Sequence, residues 1–257
     1  MRKYFFVVPS LPPLNLRERP DLTFDDLMLR LEVSLSKSDL EKVKVLRRFI
    51  DILNIRALLM EEPIDTRGNL TEKELDEALL VRALLPDYVF DFLGQFEKVT
   101  DKIRNFGGLL ARFFNAEIPK QKGFLRTYLT FEREWRLVMT ALRAKLLGRD
   151  IARELQFDDP TDPFVAPILA QRDVSAYEPP PEYVELKEIL ASCAGDPMQE
   201  HRAFDAYRFK KIDEMSEVKS FEIDQVLSYV AQLIIVESYF ELDAEKGNMI
   251  LETFKSG

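Results

Sequence analysis

One stretch constrains the whole chain: LRTYLTFEREWRLVMTALRAKLLG, residues 125 to 148. Leu125, Leu129, Trp135, Met139, Leu142 and Leu146 form a stripe at helical spacing, and Glu132 fills the gap between Leu129 and Trp135. Apolar residues recurring at such steps mark one face of an amphipathic helix, which must find a partner surface along its length. The pattern predicts a long helix from about Lys122 to Glu154. A chain holding such an element is built by packing helices against one another.

Composition agrees. With 257 residues the chain suffices for one large domain or two modest ones. A hydrophobic fraction of 46% beside 32% charged residues is that of a globular protein. Nine glycines, about 3.5% of the chain against a typical ~7%, leave few tight turns. The single cysteine, Cys193, cannot form an internal disulfide, which fits a reducing cytoplasmic compartment, and it reads as a small core residue. The longest uncharged runs, Tyr4 to Leu16 and Gln225 to Val236, fall short of the ~18–20 residues of a membrane-spanning helix. The opening MRKYFFVVPSLPPL is basic and then briefly apolar, but prolines interrupt it and no cleavage site follows, so it does not read as a signal peptide.

The first 20 residues read as an extended or strand-like piece pinned by prolines. Helix starts then recur: TFDD at Thr23, SDLE at Ser38 and TEKE at Thr71 each put a hydroxyl three residues before an acid, the capping-box pattern. Pro86 opens a helix over Asp87 to about Phe96, and another is expected from Asp101 to Phe114. The stretch Phe157 to Glu182 holds six of the fourteen prolines and cannot be one helix. It is expected to be a crossover strap, residues 157–182, between an N-terminal helical body (1–156) and a C-terminal helical part (183–257). Helices are expected again at Tyr183–Ala194, Pro197–Met215, Lys219–Leu242 and Ala244–Phe254. The fold class is therefore all-α, a multi-helix bundle with a short extended N-terminal segment.

Three of these helices share a habit. In DILNIRALL, residues 51 to 59, Asn54 and Arg56 interrupt an apolar helix whose expected stripe is Val43, Leu46, Ile50, Leu53 and Ala57. A shift of 80 residues lays Ile55-Arg56 on Trp135-Arg136 and Asn54 on Glu134. In FEIDQVLSYVAQLIIVESYFEL, residues 221 to 242, Val226, Val230 and Leu233 lead to Glu237. The recurrence reads as a weak three-fold internal repeat, two copies before the strap and one after it. A buried, unpaired carboxylate costs several kcal/mol, so each needs a mate. Arg136, one turn on, is the local candidate for Glu132; Glu237 has none and calls for a basic group from elsewhere.

These residues carry a resemblance. D-x-x-N-I-R-x-L-L near the end of a long helix, followed by RAKLLGRD at Arg143 to Asp150, resembles the C-type central-stalk subunit of bacterial and archaeal V/A-type ATPases, whose eukaryotic counterpart is the d-type subunit. KYFFVVPSLPPLNL with LTFDDLM, and FEREWRLVMTALRAKLLGRD, are similar to an uncharacterised bacterial family encoded beside V-type ATPase subunits and thought to stand in for that stalk component. The resemblance implies a funnel of helices that caps the membrane proteolipid ring on its cytoplasmic face and receives the central stalk. Such a component passes rotation on during proton or sodium transport; it catalyses nothing and needs no cofactor. Its partners would be the stalk subunits and the ring, with membrane contact made through the complex on the inner face of the plasma membrane.

Charge gives that reading a surface. Asp101 to Arg149 holds eleven Lys and Arg against four Asp and Glu, a local +7 within a chain of net −9. An acidic whole argues against a nucleic-acid binder. The basic middle suits an acidic partner or anionic headgroups, and Lys120, Lys122, Arg126, Arg143, Lys145 and Arg149 are its candidate contacts. Its other reading is that these charges pair with acids on neighbouring helices. Two rival functions belong to other classes: a helical scaffold or adaptor with no link to a rotor, and a small all-helical enzyme. For an enzyme the equipment is thin. The one histidine, His201, reads as solvent-exposed, Gly107-Gly108 lacks the rest of a phosphate loop, and Asp158, Asp159 and Asp162 lack calcium-loop spacing.

Overall fold

The structure, a computed structural model, describes residues 4, 7–193, 195–216 and 223–255, with side chains as far as 241. Among the described residues all regular structure is helical: twelve α-helices and three 3-10 turns. The all-α expectation holds. Part of the N-terminal piece read as extended or strand-like, residues 1–3, 5 and 6, lies outside the described residues; among the described ones the regular element is a 3-10 turn, Val8–Ser10, with Pro9 in its first turn. By contact the chain divides elsewhere than at the strap, into one unit of Met1–Leu46 with Gly195–Gly257 and a second of Arg47–Ala194.

In the first unit, α1 (Phe24–Ser34) starts where the sequence places it, with Thr23 Oγ1 accepting the Asp26 N–H. It buries Phe24, Leu27 and Leu31, one helical face. α2 (Lys37–Leu59) begins earlier than expected, because Ser36 rather than Ser38 receives the Asp39 N–H. Asp39 also accepts hydrogen bonds from Ser36 Oγ, Lys42 and the hydroxyl of Tyr4, which fastens the N-terminal piece to α2. Burial works against that carboxylate, yet these donors outweigh it and hold its pKa at about 2. Two long helices complete the unit, α11 (Pro197–Ser216) and α12 (Ile223–Lys255), packed on each other, with α12 also against α1. The sequence predicts two helices where α12 is one; neither glycine nor proline stands at the expected break near Asp243. The expected start at Lys219 lies outside the described residues. The uncharged run of α12 is buried on nearly all sides, from Val226 and Leu227 to Ile235 and Val236.

The second unit takes the rest of α2 and eight helices. α3 (Glu72–Val81) carries the full capping box of Thr71 and Glu74. α4 (Asp87–Leu93) follows Pro86, and the helix expected over Asp101–Phe114 is divided into α5 (Val99–Arg104) and α6 (Gly107–Glu117). Gly108 lies so near the ring of Phe157 that a Cβ there would sit 3.1 Å from it, which accounts for a small residue at the start of α6. α7 (Gly123–Leu146) is the long amphipathic helix, shorter than predicted because Gly148 turns the chain at φ +64°. α8 (Ile151–Glu154), α9 (Val165–Leu169) and α10 (Val184–Ser192) follow, the first two packed on α7. Phenylalanine fills much of this core: Phe49, Phe113 and Phe114 meet with ring centroids 5.1–5.4 Å apart. Cys193 is buried, as expected.

His201, on α11, is half-exposed and lies 3.1 Å from buried Asp205, one turn on. The hydrogen bond to Asp205 raises its pKa above 6.5 against the opposing effect of burial. The folded chain therefore favours the imidazolium. The stabilisation is complete below pH 6.5 and disappears as pH rises through the elevated folded-state value. Urea midpoints should show the wild type gaining about 0.5 kcal/mol between pH 8 and pH 6 relative to His201→Gln, the size of a half-exposed pair. An identical pH slope in the two proteins would contradict the pairing.

Candidate interface on helix α7

Of the six polar positions singled out in the sequence, five make separate contacts, and Arg56 is exposed. Asn54 is buried and reads the loop that follows its own helix: its Nδ2 donates to the Asp65 carbonyl (2.8 Å) and its Oδ1 accepts the Asp65 N–H (2.9 Å). Two further residues, not among the sequence candidates, share this task. Asp51 accepts from Asn69 Nδ2 and the Leu70 N–H, and Arg47 donates to the carbonyls of Arg67 and Gly68. Arg47, Asp51 and Asn54, at steps of four and three, make a polar stripe, a signal as regular as an apolar one. The loop covers that flank. Of the expected stripe, Val43, Leu46 and Ile50 are buried; past Ile50 the inaccessible residues are Ile52 and Ile55, whereas Leu53 is 42% exposed.

On α7, Glu132 is buried and accepts the indole N–H of Trp135 (3.0 Å). The expected Arg136–Glu132 pair does not form. Arg136 reaches Asp158 of the strap at 3.2 Å, with its guanidinium over the ring of Phe114, while Arg133 reaches Asp162 at 2.9 Å. Burial opposes the charge on both Arg136 and Asp158, and each holds the other charged. Glu134 accepts from the hydroxyl of Tyr183 at 2.8 Å. Glu237, in the first unit, takes the backbone N–H of Phe24 at the start of α1 (2.6 Å), a helix terminus that favours a carboxylate. The overlay of Asn54 on Glu134 thus has no counterpart in contacts: one grips a backbone, the other a phenol.

The basic candidates separate into two groups. Lys120, Lys122 and Arg126 are exposed around the start of α7, Lys120 lying 3.6 Å from buried Glu117. Arg143 and Arg149 are exposed at its other end. At 1.5 Å per residue, Arg126 and Arg143 stand about 25 Å apart along the helix. Lys145 serves the fold: its ammonium donates to the carbonyls of Arg172 and Val174, both at 2.6 Å. The C-terminal group has apolar company, for Leu146 and Leu147 are 70% and 63% exposed. Beside them lies a depression of about 870 Å³ lined by Arg104, Arg149 and Arg153 together with Asp150 and Glu154.

Among the described residues no three His, Cys, Asp or Glu side chains are grouped to hold a metal ion, and no helix is long and apolar enough to cross a membrane. Asp159 bonds to Thr161, and Asp158 and Asp162 to the α7 arginines, so the DDPTD acids are engaged in holding the strap.

Comparison with known proteins places the chain. Residues 1–257 match the family described as protein of unknown function, DUF2764. The chain belongs to DUF2764. It is 26% identical over 263 residues to an uncharacterized protein of Chlamydia muridarum, spanning 100% of this chain and 99% of the relative. A Chlamydia trachomatis protein is 24% identical over 263 residues, with 100% and 99% covered, and a Chlamydia pneumoniae protein is 27% identical over 257 residues, with 98% and 97% covered. No solved structure matches this DUF2764 chain.

Two substitutions probe the contacts that hold the unit. A Cβ on Gly68 would lie 2.6 Å from Asp51 Oδ1, whose carboxylate is fixed by Asn69 and Leu70. Gly68→Ala should therefore cost about 2 kcal/mol in urea unfolding. Arg136→Met should cost about 3 kcal/mol by stranding Asp158, and Arg136→Met with Asp158→Leu should recover most of it, because the loss comes from the orphaned charge.

Proposed function

We propose that this DUF2764 chain is a non-catalytic coupling component of a V/A-type ATPase, joining the rotary shaft to the membrane proteolipid ring during proton or sodium transport. The likeness of D-x-x-N-I-R-x-L-L at Asp51 to Leu59 and of RAKLLGRD at Arg143 to Asp150 to the C-type stalk component supports the reading. The fold is compatible with it: long helices, few glycines, and polar side chains that fix loops and helix ends.

The observation that carries the proposal is the exposed end of α7. Two leucines stand in solvent between Arg143 and Arg149, beside a depression where Arg104, Arg149 and Arg153 outnumber Asp150 and Glu154. Exposed leucines within a basic surround match an acidic protein surface or an anionic headgroup layer, with apolar contact for affinity and charge for steering. On this reading the chain sits peripherally on the inner face of the plasma membrane, held through the complex.

The test is co-purification of tagged full-length chain with solubilised V-type ATPase from the native membrane. Stalk and ring subunits should accompany the tag at low salt and be lost progressively as salt rises. Arg143→Glu with Arg149→Glu should lower the retained fraction about tenfold at physiological salt, while leaving the urea midpoint within about 0.5 kcal/mol. An ATPase that assembles fully without ever carrying the chain, or attachment indifferent to both salt and charge reversal, would defeat the proposal.

A further inference from the structure

The strap builds a second feature that owes nothing to the basic end of α7. Residues of the strap, with Glu134 of α7, enclose a cleft of about 520 Å³. Prolines dominate its wall, Pro163, Pro167 and Pro179 to Pro181, joined by the rings of Phe164 and Tyr183, which meet edge to face with centroids 5.8 Å apart. Proline has no N–H, so such a wall offers carbonyl acceptors and apolar surface but few donors.

The polar side chains of the lining point the same way. Tyr183 directs its hydroxyl proton to Glu134, and Gln171 is engaged by the Glu178 backbone, donating to its carbonyl (3.1 Å) and accepting its N–H (2.9 Å). Glu178 itself pairs with Lys187 at 2.5 Å. What is left uncommitted is negative. Glu134 and Glu182 line the cleft and have no ion pair among the described residues. Tyr177, only 2% exposed, also lines it, and its hydroxyl is buried without a hydrogen-bond partner. Burial pushes that phenol's pKa up, so it stays a neutral hydroxyl with open lone pairs. Burial, Asp162 and Glu182 push the carboxyl of Glu134 up, against the Tyr183 hydrogen bond and Arg133. The negative charge in the cleft is under-compensated.

We propose that this cleft takes an ammonium or guanidinium group on an aliphatic stem, the charge held by Glu134 and Glu182 and the stem lying along the prolines and the Phe164 and Tyr183 rings. Such a group supplies only donors where the wall is rich in acceptors, and aromatic faces add cation–π attraction to it. Prolines and rings bind a methylene stem without ordering long side chains, so little entropy is lost on the protein's part. The same chemistry is presented by a lysine or arginine of a partner protein and by a free polyamine. The inference is independent of the coupling reading, since a chain that never meets a rotor would still carry this cleft.

Titration of the full chain with N-acetyl-arginine amide, N-acetyl-citrulline amide and spermidine, followed by calorimetry or ligand-observed NMR, tests it. At least one cation should saturate at millimolar concentration, and the uncharged citrulline compound should bind about tenfold more weakly than the arginine compound. Glu134→Gln, which keeps an acceptor for Tyr183, and Glu182→Gln on the exposed rim should each weaken the cation about fivefold or more. Because Glu182 is exposed, loss of binding in that variant cannot be put down to misfolding. Tighter arginine than spermidine assigns the site to a partner's side chain, and the reverse order to a polyamine; either supports the cleft. No saturation by any cation, citrulline equal to arginine, or affinity unchanged in both variants would overturn it.

Discussion

A double ion pair holds the strap on which the second unit depends. Arg133 and Arg136, on one face of α7, meet Asp162 and Asp158 in reverse order, so helix and strap run antiparallel where their charges meet. The strap needs such side-chain anchors because its prolines lack N–H donors and leave it only the short helix α9 as regular backbone pairing of its own before Pro179. Lys145 adds a third anchor further along the helix through the Arg172 and Val174 carbonyls. The strap in turn carries Phe164 and Tyr177 and leads directly into Tyr183, so the cleft, its acceptor-rich wall and the ring stack of Tyr183 on Phe131 follow from those anchors. A buried pair of this kind contributes little net stability against an apolar alternative; what it fixes is the one alignment of strap and helix in which Asp158 and Asp162 each meet an arginine.

Side-chain pattern makes the helices readable and leaves their partners hidden. The Thr23 and Thr71 caps and the α7 stripe at Leu125, Leu129, Met139 and Leu142 are local signals found where expected, whereas Leu146, expected on the same stripe, is 70% exposed because it sits in the last turn of the helix. The mate of Arg136 is not legible in this way, because sequence proximity offers Glu132 one turn away, whereas Asp158 lies 22 residues on. Glu237 and the Phe24 N–H are 213 residues apart, a separation that no periodicity encodes. The covered positions late in α2 are hidden for a related reason: Leu53 and Ile52 are adjacent and equally apolar, yet one is 42% exposed and the other inaccessible, a difference set by tertiary packing.

Buried polar residues in these helices recur because helix surfaces meet non-helical chain, and irregular chain brings unpaired N–H and C=O groups that must be satisfied. Asn54 meets one donor and one acceptor on a single residue, the work for which a carboxamide is suited, and Glu237 meets a helix start, for which a carboxylate is suited. Similar positions in the sequence therefore hold different chemistries according to what crosses them. Of the candidate interface residues, Lys145 is tied to the Arg172 and Val174 carbonyls, whereas Arg143 and Arg149 are exposed, Arg149 lying 3.7 Å from Glu154.

The spacing of the charged ends of α7 has a consequence for valency. A small anion can engage only one cluster at a time, since the helix between them is rigid and about 25 Å long. A macromolecule broad enough to touch both would make its second contact intramolecularly, at an effective concentration set by the rod and not by diffusion. Neutralising either end alone would then abolish far more than half of the grip, and a rod shortened by one turn would lose register with the same footprint even with every charge intact.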